Sequence, residues 1–227
     1  MKTLLTVLLL AASTLLAEEV VISKSAFGGG QGINGSVAAL VVQPDGKIVL
    51  GGSFAAVNGV PRGNIARLNV DGTLDETFAP NPFAGANGPV RALALRADGG
   101  IVVGGSFSEA GGVTTKNLAL FKPDGTVDRT FASVGDPGTN GEVMAISVQP
   151  DGKVVIGGSF TAVCGRQRNA IARINADGTL DENIPANGRV TGSVEALVAT
   201  GPSTSLAGGT FVVTNQVARS LFSTGNP

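Results

Sequence analysis

A segment of eighteen residues recurs along this chain at a fixed step. It reads VAALVVQPDGKIVLGGSF from Val37, VRALALRADGGIVVGGSF from Val90 and VMAISVQPDGKVVIGGSF from Val143, each 53 residues after the last. A second signature keeps the same step: NVDGTLDETF from Asn69, KPDGTVDRTF from Lys122 and NADGTLDENI from Asn175. A fourth, eroded copy begins at Val194, 51 residues on, reads VEALVATGPSTSLAGGTF and retains Gly208-Gly209-Thr210-Phe211. A repeat of this length is one supersecondary unit that cannot bury its apolar face alone, so the core must lie between copies.

Each copy reads as four strands. Val37 to Gln43 is the first, and Pro44-Asp45-Gly46 is a tight turn: Pro presets φ, Asp bonds its own backbone, and Gly accepts a left-handed conformation. Lys47 to Phe54 is the second strand. A loop of about nine residues leads to a third near Ile65 to Asn69. Asp71-Gly72 is a further turn signal, and Thr73 to Phe78 is a short fourth strand. No stretch carries a sustained helical period.

The first two strands are apolar or small on both faces, as in VAALVV and IVLGG, which is the pattern of strands covered on both sides. The pairs Gly51-Gly52, Gly104-Gly105 and Gly157-Gly158 mark close backbone approach or a bulge. Phe54, Phe107, Phe160 and Phe211 recur at one register, where they would fill the space between neighbouring sheets. Four-stranded units at this period predict an all-β fold, a β-propeller of about four blades. The blades are approximately 37–89, 90–142, 143–193 and 194–227. The last copy ends before a fourth strand, and Val20 to Phe27 stands in fourth-strand register, so 20–27 is expected to complete that blade and close the ring. A closed ring predicts a monomer, and open strand edges predict an oligomer.

Residues 1–17 read as a secretory signal peptide. Lys2 is the positive start, Leu4 to Leu10 is apolar apart from Thr6, and Ala11, Ala12 and Ser13 are small. Cleavage after Ser13 or after Ala17 fits, and residues 18–227 form a single domain. The apolar run is too short for a membrane span, which takes about 20 residues. The expected location is therefore secreted, periplasmic or at the cell surface. Removing Lys2 with the leader changes 16 basic against 17 acidic residues to 15 against 17, with no basic cluster of the kind that nucleic acid requires. Cys164 is the one cysteine, at a position where other copies carry Asn58 and Gly111, and it reads as incidental.

The runs VQPDGKIVLGGSF and NIARLNVDGTLDETF resemble the delta-60 repeat family of bacterial secreted proteins. The resemblance extends from Val20 to about Thr224. It implies a β-propeller-like domain of exported or cell-surface proteins, with no catalytic residues to carry over. The chain departs from the pattern in its fourth copy and at Leu120, where other copies carry Arg67, Arg173 and Arg219.

Candidate chemistry is sparse. Gly30 to Gly35 spells G-x-G-x-x-G but precedes an apolar strand, whereas a dinucleotide site needs a helix there. The pairs Asp71 and Asp75, Asp124 and Asp128, and Asp177 and Asp181 offer oxygen ligands to Ca²⁺, but only two carboxylates each. They read instead as turn residues, with Arg67 pairing Asp75 and Arg173 pairing Asp181, and no cofactor is expected. With no histidine, a Ser-His-Asp or Cys-His arrangement is excluded. Paired carboxylates leave a carbohydrate-active enzyme open, but without Trp or Tyr there are no large platforms for sugar rings. Asn34-Gly35-Ser36 is a formal glycosylation sequon.

An up-and-down blade places its two tight turns on one rim, and the long second-to-third loop and the inter-blade connection on the other. The long-loop rim carries Arg62, Lys116, Arg166, Arg168 and Arg189. Function concentrates on long loops held by a rigid scaffold. The expected role is a non-catalytic interaction scaffold whose basic rim takes a protein or an acidic glycan. The alternative is a structural module of a larger surface assembly or part of a longer propeller.

Overall fold

The computed structural model describes residues 5–7, 20–22, 32–131, 138–183, 190–201 and 205–213. All regular structure among them is β. At the N-terminus β1 (Leu5–Val7) and β2 (Val20–Ile22) form a two-stranded antiparallel ladder. The first repeat supplies β3 (Ser36–Val42), β4 (Ile48–Ser53), β5 (Ala56–Val57), β6 (Val60–Pro61) and β7 (Ile65–Leu68). The second supplies β8 (Val90–Leu95), β9 (Ile101–Gly105), β10 (Glu109–Ala110), β11 (Val113–Thr114) and β12 (Leu118–Phe121). The third supplies β13 (Val143–Val148), β14 (Val154–Gly158), β15 (Ala162–Val163), β16 (Arg166–Gln167) and β17 (Ile171–Ile174), and the fourth β18 (Val190–Ala199) and β19 (Ser205–Val213).

Three sheets have the same antiparallel order: β3-β4-β7, β8-β9-β12 and β13-β14-β17. Their tight turns follow from Pro-Asp-Gly or its variants. In the first, the Gln43 amide donates to the Lys47 carbonyl, and Gly46 takes φ of 80°. The expected fourth strand is reduced to one bridge per sheet: Leu68 with Leu74, Phe121 with Val127, Ile174 with Leu180. The cause is side-chain competition. Asp75 Oδ1 accepts from the Thr77 amide and hydroxyl, which turns the backbone away from the ladder. The fourth sheet is the two-stranded β18-β19.

Closure of the last blade by 20–27 is not seen among the described residues. Val20–Ile22 pairs with Leu5–Val7, and 23–27 lies outside the described residues. In the full-length chain the apolar leader is the nearer partner, and the shorter loop costs less entropy to close. Among the described residues the sheets pack in chain order, β3 and β4 on β8, β8 and β9 on β13, β13 and β14 on β18, and do not return to the first.

Both faces of the central strands are buried. Val49 and Ile65 of the first sheet share a core with Ile101, Val103, Phe107 and Phe121 of the second. Val102 and Leu118 of the second share one with Val143, Ile156 and Phe160 of the third. Val155 and Ile171 of the third meet Val190, Val194 and Phe211 of the fourth. Alternate residues therefore serve successive cores, which is why IVLGG and its copies carry no polar side.

The Gly-Gly pairs serve both purposes expected of them. A Cβ on Gly104 or Gly157 would lie 2.5 Å from Cγ1 of Val143 or Val194 in the next sheet, and Gly51 stands closer still to Val90. The second glycine of each pair lies opposite a β-bulge, at Val37/Ala39, Val90/Ala92 and Val143/Ala145, where the partner's carbonyl fills the space of a side chain.

The second-to-third loops are not irregular. Each folds into a two-residue hairpin, β5-β6, β10-β11 and β15-β16. The turns are Asn58-Gly59, Gly111-Gly112 and Cys164-Gly165, with both central residues at positive φ: 51° and 81°, 57° and 71°, 49° and 71°. That is the type I′ geometry for which Asn-Gly is the usual sequence. Cys164 therefore occupies a strained position. Cys164→Asn is expected to stabilise the protein by about 0.5 kcal/mol, and Cys164→Val to destabilise it by roughly 1–2 kcal/mol. Urea unfolding of the two variants checks this, and equal midpoints would contradict the turn assignment.

Candidate functional site

The hairpins build the long-loop rim, and asparagines fasten them. Asn34, Asn87 and Asn140 each stand just before a first strand and accept two amide hydrogen bonds at the entry of a hairpin. The donors are Ala55 and Ala56, Ser108 and Glu109, and Thr161 and Ala162, at 2.7–3.1 Å. Asn64 and Asn117, at φ of 60° and 63°, accept from the Phe54 and Phe107 amides. They also donate to the Ala86 and Thr139 carbonyls of the next unit. The rim is therefore a hydrogen-bonded frame rather than a set of independent loops.

Between the second and third units this frame encloses an open groove of about 570 Å³. Asn87, Ser108, Lys116, Asn117, Thr139 and Asn140 line it together with Phe107. Lys116 is exposed at its edge. The described lining carries amides, hydroxyls and one ammonium, and no carboxylate. Phe83 stands 83% exposed on the connection that leads to Asn87, a large apolar ring on the same rim.

The five basic residues expected on this rim divide. Lys116 lines the groove. Arg166 is exposed on β16 and faces Glu182 at 3.5 Å, with both side chains 69% exposed, so the pair contributes little. Arg62 and Arg168 do not present charge to solvent, because each is buried, Arg62 to 1%. Each directly follows the second strand of its hairpin, after exposed Pro61 and Gln167, where the chain returns to the sheet, and Thr115 at the same register is also buried. The Arg62 guanidinium donates from Nη1 to the Pro61 and Pro80 carbonyls, while Nε and Nη2 have no hydrogen-bond partner among the described residues. Burial pulls its pKa down, against the raising influence of Glu76 and Asp75. Arg189 lies outside the described residues.

The opposite rim carries the Asp pairs, and each of these carboxylates has at least one oxygen engaged. Asp71, Asp124 and Asp177 each accept from the amide and hydroxyl of Thr73, Thr126 and Thr179. Asp75 Oδ2 accepts from Lys47 Nζ at 2.8 Å and Arg67 Nε at 2.9 Å, and Asp181 Oδ2 from Lys153 Nζ and Arg173 Nε at 2.8 Å. Burial pushes the Asp75 carboxyl up, but Lys47, Thr77 and the Arg67 charge outweigh it and hold it well below the usual carboxylate range. Burial likewise opposes Lys153, the Asn183 amide and Arg173 at Asp181, whose pKa is lowered to about 2. Among the described residues no group of three acidic or cysteine side chains could hold a metal.

Leu120 belongs to a correlated change. Arg67 donates to the Pro123 carbonyl of the next unit at 2.6 Å and lies 4.6 Å over the Phe78 ring. In the second unit Arg67 becomes Leu120, Lys47 becomes Gly100 and Gln43 becomes Arg96. Arg96 then donates to the Ala176 carbonyl at 2.6 Å, the position that matches Pro123. The same inter-unit bond is made from a different strand.

The G-x-G-x-x-G run opens no helix. Gly32 is a positive-φ residue, Ile33 bridges to Val57, and Asn34 is the hairpin latch, which also engages the sequon side chain. Residues 43–78, 96–131 and 149–183 match the family model described as Domain of unknown function (DUF5122) beta-propeller. No curated protein matches the chain.

The Asp75 and Asp181 pKa values lie below the ordinary value of about 3.9. Lowered carboxylate pKa values stabilise the fold above the unfolded-state value, and that stability is lost as pH falls through the folded-state value. The denaturant midpoint is expected to hold steady from neutrality to about pH 5 and to fall from about pH 4 downward. Asp181→Asn should lower the neutral midpoint and shrink that fall. An unchanged acid slope would contradict the pairing.

Proposed function

The chain belongs to the DUF5122 β-propeller repeat family, a domain of unknown function, and on that premise we propose that it is a non-catalytic binding module whose long-loop rim takes an acidic segment of a protein partner. The observation that carries this reading is the groove at Lys116. It combines hydrogen-bonding amides and hydroxyls with one ammonium on a rigid frame. Preorganised polar groups orient a ligand without an ordering cost. Phe83, exposed on the connection that leads to Asn87, is an aromatic of the class enriched at protein interfaces.

On this reading residues 1–17 are an export leader and the partner is met outside the cytoplasm. No step of chemistry is assigned to the Asp pairs: Asp71, Asp124, Asp128 and Asp177 accept from their own turns, and Asp75 and Asp181 also from Lys and Arg. Charge reversal must be confined to Lys116. Arg62→Glu would leave a buried, unpaired carboxylate and unfold the module, whereas Arg62→Met fills the same space and is expected to be nearly neutral in stability.

Fluorescence anisotropy with labelled poly-L-glutamate tests the reading, with polygalacturonate as the glycan counterpart. Lys116→Glu is expected to weaken poly-L-glutamate binding by about tenfold or more, and added salt to weaken the wild type. Unchanged affinity in Lys116→Glu would overturn the site. A Lys116-dependent preference for polygalacturonate would make the ligand an acidic glycan instead.

A further inference from the structure

The contact that joins one sheet to the next is made three times, and its parts occur a fourth time at the two ends of the array. Val90, Val143 and Val194 are fully buried, each against a glycine of the preceding sheet: Gly51, Gly104 and Gly157. The fourth glycine in this register is Gly208. A Cβ placed there meets only the Ala196 Cβ, at 3.8 Å. The fourth valine is Val37, which is only half-buried.

Neighbouring positions agree. Leu206 holds the register of Val49, Val102 and Val155, which are exposed by 6% or less, yet Leu206 is 45% exposed. Val198, on the paired strand, is 53% exposed. At the other end Val70 holds the register of Pro123 and Ala176, whose carbonyls are capped by Arg67 and Arg96 of the preceding units. Val70 is 74% exposed, and no described arginine reaches its carbonyl.

We propose that the open side of the β18-β19 sheet receives the β3 edge of a second copy of this chain, with Val37 of that copy seated over Gly208. The partner is a second copy because the complementary surface is this chain's own first sheet, and the described sheets run from first to fourth without turning back onto it. Two copies joined head to tail make the contact twice when the rotation between them closes the pair into a ring. Each half then continues the blade-on-blade packing already present between its own units. This assembly is independent of the Lys116 groove, which lies between the second and third units.

Sedimentation velocity of the full chain over a dilution series tests it. The wild type is expected to sediment as a dimer that dissociates on dilution. Gly208→Val suits the folded chain, since Gly208 is not in the left-handed region and has room for a side chain. It blocks the place of Val37 and is expected to raise the dimer dissociation constant by about tenfold or more. A monomeric wild type, or a dimer that Gly208→Val leaves unchanged, would overturn the proposal. A second measurement does not depend on that variant. Val37→Cys with Gly208→Cys, in a Cys164→Asn background, is expected to cross-link at twice the chain mass. A cross-link within one chain would show that its own first sheet occupies the place, and no cross-link would remove the contact; either result overturns the assembly.

Discussion

Val90, Val143 and Val194 each press a methyl group onto a backbone position where the preceding sheet has no side chain. The spacing between sheets depends on that contact. With any Cβ at Gly51, Gly104 or Gly157 the sheets would have to part, and the cores of Ile101, Phe107, Ile156 and Phe160 would lose the close packing that makes burial favourable. The bulge beside each contact follows from the same need. It turns the first strand so that its valine points into the neighbouring sheet, and the second glycine of the pair yields space to the bulged strand's carbonyl. One dipeptide thus fixes both the sheet separation and the local twist.

Polar interactions set the two rims apart. On the tight-turn side, Asp side chains close their own turns, and arginines tie one unit to the next through the Pro123 and Ala176 carbonyls. Those oxygens and cations are engaged with one another. On the long-loop side the asparagine latches hold backbone amides and border the groove. The same repeat therefore yields two hydrogen-bonded rims of different chemistry, one of Asp, Lys and Arg and one of asparagine amides and hydroxyls.

Much of this is legible in the chain itself. The 53-residue step, the strand pairs around Pro-Asp-Gly and the Gly-Gly contacts depend on local chemistry repeated three times. The ion pairs Arg67–Asp75 and Arg173–Asp181 were also within reach, because eight residues across an Asp-Gly turn bring the two positions opposite. The hairpins inside the long loops are a different case. Asn58-Gly59 announces one, but Gly111-Gly112 and Cys164-Gly165 are weaker signals, and strands of two residues carry no periodicity. That is why Arg62 and Arg168 read as rim charges: their burial depends on where the hairpin returns the chain to the sheet, just past β6 and β16. The exchange of Arg67 for Arg96 was hidden for a related reason. It couples positions on different strands, and Leu120 alone looks like a loss rather than a relocation. Counting residues carries no information on the leader strand that Val20–Ile22 meets in the full-length chain.

The claim that the valine-over-glycine contact holds the sheets together is tested most directly by a double-mutant cycle on Gly104 and Val143. Gly104→Ala alone is expected to destabilise by roughly 1–3 kcal/mol through overpacking, and Val143→Ala alone by a comparable amount through a cavity. Together they should cost less than their sum by about 1 kcal/mol or more, because the added methyl occupies the space the valine vacates. Additive effects would mean that the two residues do not share that space, and the stacking account would fail.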